Sequence, residues 1–420
     1  MAVRGDLLMI VHRVPYPPDK GDKIRSFNQL KFLAGQGWRI HLCALADDPA
    51  DLKHAGELGK FCASVAIERI NPKCNKLISA LAPLHGFPMS SRYFYNSKLQ
   101  SRINDILSRH PVSAVFCFCA PMAEYLRKSP HNPLMREKDI RITCVMDLVD
   151  VDSDKWEQYA RHHHAPLKWA YQIEGQLLHR YEQRILQSFD AVALVSEAEA
   201  EVFRKRTGFY NKIYAVGNGV DLDYFHPVSV KTSADCYAIT FCGAMNYLPN
   251  VDAVCWFANE VLPHIRKVIE NVEFWIVGGG ATHDVKALEK YPWVKVTGRV
   301  PDVRPYVWKS HLSVTPVRIA RGIQNKVLEA MAMAVPTLVT PQAFEGLEVE
   351  AGKDVFVAPA EAEVFAAKAL EALGDPELRQ TVAFNARRMM EEKYSWNSRL
   401  LLLDNLLLSP VSANVTPEAG

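Results

Sequence analysis

Short apolar runs alternate with stretches of helical length along nearly the whole chain, and the alternation happens twice. The first series is LLMIVHRV, RIHLCALA, SVAIERI, AVFCFCA, ITCVMDL and AVALVS, each trailed by a helical or loop segment. The second is YAITFCGA, VEFWIVGGG, VKVTGRV, LSVTPV, PTLVT and VFVA. Strand-like runs separated by helices read as βαβ units, which build parallel sheets covered by helices on both faces. The expected class is α/β, with two doubly wound, Rossmann-like domains. Ligands in such sheets bind beyond the carboxyl ends of the strands, so two facing lobes are expected to enclose one cleft.

The two series part after Asn211, where KIYAVGNGVD and the loop through Pro227 to Asp235 break the pattern with Gly, Pro, Ser and Thr. The expected boundaries are a first domain over 1–216, a linker over 217–235 and a second domain over 236–394. A chain of 420 residues, 49% of them apolar, can fill two cores of roughly 200 residues each. The tail VSANVTPEAG is expected to be disordered.

A net charge of +2 sets up no global field, so no nucleic-acid partner is expected. Nine cysteines are an odd number, scattered without CxxC pairs, and read as reduced thiols in a cytoplasmic protein. The first apolar run is followed by prolines rather than a small-residue cleavage site, so no signal peptide is read. No run reaches the ~18 apolar residues that span a bilayer, so any membrane contact is expected to be peripheral.

The most informative segment is RIARGIQNKVLEAMAMAVP, from Arg318 to Pro336. Gly322 precedes an amphipathic helix that carries Lys326 and Glu329 one turn apart. A helix N-terminus offers free N–H groups and the positive end of its dipole, and a glycine lets an anion approach the backbone. Lys326 would add a full charge to a diphosphate, and Glu329 on the same face could accept hydrogen bonds from ribose hydroxyls. From spacing alone, a solvated Lys and Glu pair explains the two residues as well.

GIQNKVLEAMAMAVPTLVT is similar to the nucleotide-sugar motif of the retaining glycosyltransferases of family four, which have the GT-B fold. PYPPDKGDKIR, AVALVSEAEAEVFR, VGNGVDLDYFHP and VGGG fit the same pattern, so the resemblance covers nearly the whole chain. It implies that Lys326 meets the donor diphosphate and Glu329 the donor ribose, with Gly21, Gly243, Gly322, Ile323, Gln324 and Asn325 also on the donor; Gly279 either lets the backbone approach the donor or makes a plain tight turn, and Arg318 or Arg321 either supplies a missing diphosphate charge or is an ordinary surface residue. It also implies a final helix over about 395–409, begun by Trp396, that returns to the first domain. Two departures stand out. Arg321 occupies the place of a glutamate that usually faces the donor sugar and is carried as a catalytic candidate, and FCGAMNYLPNVDAVCWF has Ala244 and Asn250 where the family often has an Arg and a Lys. YLPNVDAVCWF, DVDSDKW and PYPPDKGDKIR further resemble the sugar transferases that accompany bacterial PEP-CTERM and exosortase systems at exopolysaccharide loci.

In the first half, PPDKGDKIR follows a strand and opens a helix. Gly21 stands either against a donor phosphate, as the resemblance implies, or in a plain turn, and Lys20, Lys23 and Arg25 either meet a phosphate or are solvated. VMDLVDVDSDKW gathers Asp147, Asp150, Asp152 and Asp154 at a strand end, a crowding that raises carboxylate pKa values. Asp150 is the candidate for orienting acceptor or donor hydroxyls, with a helix cap at Asp152 or Ser153 as the plain alternative. The family often has a histidine near this strand end, and none occurs in this segment. His162, His163 and His164 lack a second ligand cluster at zinc spacing, and neither a metal nor another cofactor is expected. The helix PLKWAYQIEGQLLHRYEQRIL, with Lys168, Arg180, Arg184, Trp169, Tyr171 and Tyr181, either rests on anionic lipid headgroups or buries its aromatics.

The resulting expectation is a retaining glycosyl transfer from a nucleotide-sugar to a saccharide or lipid-linked saccharide. Positioning and charge stabilisation on the departing diphosphate would do the catalytic work, without a side-chain nucleophile. Two rivals stand beside it: a nucleotide-sugar epimerase of the same fold, and a non-catalytic nucleotide-sugar-binding subunit.

Overall fold

The computed structural model describes residues 4–135, 142–161, 164–229, 236–319 and 323–408. The chain divides into two compact units, one of residues 1–217 with 400–420, the other of residues 218–399. Residues from 218 onward, read above as linker, therefore belong to the second unit, while 230–235 lie outside the described residues.

The first unit holds a seven-stranded sheet in the order β3-β2-β1-β4-β5-β6-β7. Its strands are β1 (Gly5–Val11), β2 (Trp38–Ala46), β3 (Ser64–Arg69), β4 (Val112–Phe118), β5 (Thr143–Val149), β6 (Ala191–Leu194) and β7 (Ile213–Ala215). Every pairing is parallel. Central strands β1 and β4 are buried almost throughout, which is why they read as unbroken apolar runs rather than alternating ones. Strand β7 lies inside the segment expected to break the pattern. It is three residues long with Ile213 alone fully buried, too short to give a periodic signal.

The second unit holds a six-stranded parallel sheet in the order β10-β9-β8-β11-β12-β13. Its strands are β8 (Tyr237–Cys242), β9 (Val272–Val277), β10 (Val294–Gly298), β11 (Leu312–Thr315), β12 (Thr337–Val339) and β13 (Phe356–Val357), one for each run of the second series. In both sheets the strand order reverses direction at the centre, at β1/β4 and at β8/β11, the place where doubly wound sheets open a crevice at their carboxyl ends.

The last helix runs Trp396–Leu408, and from Leu400 onward it belongs to the first unit. There Asp404, 2% exposed, accepts from the Trp38 indole at 2.8 Å and pairs with Arg4, while Leu400, Leu403, Leu406 and Leu407 are buried. The apolar stripe of SWNSRLLLLDNLLL is thus used for packing. The tail over 410–420 lies outside the described residues.

Candidate functional site

In the second unit, the loops after β8 and β9 are locked to each other by backbone contact. Gly243 N–H donates to the Val277 carbonyl at 3.0 Å, and Met245 N–H to the Gly279 carbonyl at 2.8 Å. Gly278 has φ +144°, and a Cβ there would lie 1.8 Å from the Gly243 carbonyl oxygen, so only glycine fits. Gly243 is similarly closed: a Cβ would sit 2.7 Å from Asn250 Nδ2. Asn250 is buried and donates that amide to the Ala244 carbonyl at 2.9 Å, while its Oδ1 has no hydrogen-bond partner. The residue standing where the family often has a cation therefore serves to hold the loop.

The Asn325–Ala332 helix approaches the same strand end. Leu, Ala, Met and Lys favour helix, and Val327, Leu328, Ala330, Met331 and Ala332 are its buried positions. Its far end is neutralised by the Arg387 guanidinium, which donates to the Ala332 carbonyl at 2.7 Å. At its near end the N-cap residue, Gln324, makes no side-chain cap among the described residues. That leaves first-turn N–H groups for another acceptor.

Lys326 Nζ stands 5.5 Å from the Phe241 ring centroid on β8 and donates to Gln324 Oε1 at 3.0 Å. Burial pulls its pKa down to about 8, with the Glu329 charge opposing. Burial likewise pushes Glu329 up to about 7, only partly offset by Lys326. The two carry charge with difficulty in this pocket. Glu329 is half-buried and, among the described residues, its carboxylate meets no hydrogen-bond donor. An anion beside Lys326 and hydroxyl donors beside Glu329 would each stabilise the charged form.

The other residues expected at the donor are placed as follows. Asn325 Oδ1 accepts from Asn218 Nδ2 at 3.3 Å, and Ile323 packs on the second unit's core. Gly279 has Arg299 beside it. Arg318 is engaged by Asp252, with Nε donating to Oδ2 at 2.9 Å, and lies over Trp256. Arg321 and Gly322 lie outside the described residues.

In the first unit, Gly21 opens the Gly21–Gly35 helix in ordinary backbone geometry, and nothing lies within 4 Å of where a Cβ would stand. Lys23 and Arg25 are neither solvated nor available to a phosphate. Lys23 is buried against Asp51 at 3.0 Å, and Arg25 against Asp147. Asp150 is held by Lys155 at 2.5 Å, which also stands 3.6 Å from Asp152. Burial pushes the Asp152 carboxyl up, partly offset by Lys155. Val149, just before Asp150, is a β-branched residue at φ +70°, an outlier held by Asp147 Oδ1, which accepts its N–H at 3.0 Å.

A histidine is present here after all, brought in by β1. His12 is buried between Phe118, stacked at 5.7 Å, and Phe94, edge-on at 5.3 Å. Its Nε2 is 3.2 Å from Asp22 Oδ2, and its Nδ1 is buried without a partner. Arg13 Nη1 donates to the same carboxylate at 2.7 Å. Although burial raises Asp22, the hydrogen bonds from His12 and Arg13 outweigh it and hold this carboxyl well below the usual range. The only sequence signal for His12 is its place as the first residue beyond an apolar run.

His162 and His163 lie outside the described residues. Asp6, His41 and His110 bring one potential ligand atom each within 4.8 Å of one another, but at the opposite end of the sheet. Arg39 already pairs with that aspartate at 2.8 Å.

Two parallel-sheet Rossmann-like units with strand-end loops of this kind define the GT-B fold. Sucrose-phosphate synthase from Thermosynechococcus elongatus superposes with a TM-score of 0.70 at 15% identity, over 96% of this chain and 98% of that one. Anabaena HepE in complex with UDP and glucose gives 0.62 at 14%, over 96% and 99%. A TarM variant of S. aureus in complex with Fondaparinux, alpha-GlcNAc-glycerol and UDP gives 0.64 at 13%, over 96% and 100%. Residues 237–375, which carry Gly243, Gly278, Lys326 and Glu329, match the family model described as Glycosyl transferases group 1. A search of curated proteins returned no match.

Proposed function

We propose that this chain is a glycosyltransferase that binds a nucleotide-sugar in its second unit and transfers the sugar, with retention, to a saccharide or lipid-linked saccharide. The observation that carries the reading is the pair Lys326 and Glu329, half-buried one turn apart on the helix that approaches the end of β8. The group 1 family match covers the same residues. Lys326 and the first-turn N–H groups would bind the diphosphate, and Glu329 the ribose hydroxyls. As the donor bond breaks, the cation would meet the charge growing on the departing diphosphate. Asp150 and Arg321 stay candidates for the acceptor and sugar side. Since HepE and TarM were solved with UDP, a uridine diphosphate donor is the first to try. An exopolysaccharide or cell-surface glycan role, without a bound metal, follows from the sequence resemblance.

Thermal-shift measurement with UDP, GDP, ADP and their common sugar conjugates tests the reading. A ligand at 100 times its dissociation constant stabilises by about 2.7 kcal/mol, so one nucleotide series is expected to raise the melting temperature selectively. No shift from any nucleotide would remove the donor site and the function with it.

A further inference from the structure

From Ile70 to Asn104 the chain has no acidic residue, while Lys73, Lys76, Arg92, Lys98 and Arg102 are basic, an imbalance that the overall charge of +2 conceals. The first part of this segment folds into the Pro72–Ser79 helix and the turn Ala82–His85. A surface helix normally buries its apolar stripe. This one does not: of its eight residues Ser79 alone is buried, and Leu77 is 75% exposed. Leu81 and Leu84 continue the exposed apolar face, Leu84 at 80%.

The Leu167–Ser188 helix supplies a second exposed edge. Its buried Glu174 accepts from the backbone N–H groups of Met89 at 2.9 Å and Ser90 at 3.5 Å, which fixes it beside the Met89–Tyr93 helix. On the N-terminal side of Glu174, Leu167, Trp169 and Ile173 are all exposed, Trp169 at 62%, with Lys168 among them and no acidic residue. Of the two readings of this helix, burial of its aromatics holds for Tyr181 and fails for Trp169.

We infer that this face of the first unit docks on a bilayer surface rich in anionic lipid. Exposed leucines and a tryptophan, with Lys73, Lys76 and Lys168 on the same segments, match the two phases of such an interface: the apolar side chains enter the acyl boundary while the cations stay at the phosphates. Apolar exposure alone would suit a second copy of the chain or another protein. The lysines carried by the exposed segments themselves, Lys73 and Lys76 on one and Lys168 on the other, favour the anionic surface, because like charges from a second copy would oppose each other. The inference does not rest on the chemistry of the second unit.

Flotation of the full chain with phosphatidylcholine vesicles, with and without phosphatidylglycerol, in the absence of any nucleotide, tests it. The protein is expected to float with the phosphatidylglycerol vesicles only, and to be released at high salt. Leu77→Ser/Leu84→Ser/Trp169→Ser is expected to lower that binding at least about tenfold with an unchanged melting temperature, since all three side chains are exposed. Absence of flotation, or equal binding by wild type and variant, would overturn the inference. So would light scattering that finds a wild-type dimer converted to monomer by the variant. Nucleotide binding is read separately, by thermal shift, so failure of one proposal leaves the other standing.

Discussion

Arg25 Nε donates to Asp147 Oδ2 at 2.8 Å, joining the Gly21–Gly35 helix to the end of β5 with neither side chain appreciably exposed. Gln29 donates to the same oxygen at 2.6 Å, and Arg25 Nη2 to the Val216 carbonyl at 2.8 Å. The remaining Asp147 oxygen holds the strained Val149, so one carboxylate ties the helix and the β5 terminus together.

Arg25→Met would leave that carboxylate buried without its cation. The expected cost is roughly 3–5 kcal/mol in the urea transition of the first unit, followed by circular dichroism. A loss below about 1 kcal/mol would mean that Gln29 and Val149 satisfy Asp147 without the arginine.

Gly278→Ala forces a methyl group into the Gly243 carbonyl at a backbone angle that L side chains rarely adopt. Destabilisation of the second unit by roughly 2–4 kcal/mol is expected, together with loss of nucleotide-induced stabilisation. Gly21→Ala, with open space around the added Cβ, is the contrasting control and is expected to leave stability within about 0.5 kcal/mol.

Lys326→Ala is expected to weaken nucleotide diphosphate binding by about 1–3 kcal/mol in isothermal titration, through loss of a charge-assisted contact. Because burial brings this amine down to about 8, wild-type affinity is expected to fall as the pH rises above 8, and the variant to lack that fall. Unchanged affinity in the variant would take Lys326 out of the site.

Glu329, pushed up to about 7 by burial, retains a proton in the folded chain where the unfolded chain has released it. Its contribution is therefore fully present below the ordinary carboxylate pKa and is lost as the pH rises through about 7. Melting temperatures measured from pH 4 to 8 are expected to show Glu329→Gln gaining on wild type as the pH rises, with the gain levelling off above 7. A constant difference across that range would contradict it.

The six apolar runs of each series correspond to strands β1–β6 and β8–β13; central strands such as β1 and β4 are buried and leave a continuous apolar signature, while the edge strands β3 and β10, only partly buried, leave interrupted ones. Lys326 and Glu329 were legible for a similarly local reason, being one turn apart on one helix face. Lys23 and Arg25 were not. Their partners Asp51 and Asp147 lie 28 and 122 positions away, and nothing local separates a buried arginine from a solvated one. His12 is not legible from the segment around Asp147, because it enters from the end of β1 rather than of β5.

Residues 400–408 complete the first unit, so its packing against Trp38 and Arg4 joins positions up to 400 apart in the chain. During synthesis on the ribosome, domains generally fold as units in the order in which they emerge. Here the contiguous 218–399 segment can fold while the older, N-terminal sheet still lacks its closing helix. The helix that finishes the first unit is thus made only after the whole of the second.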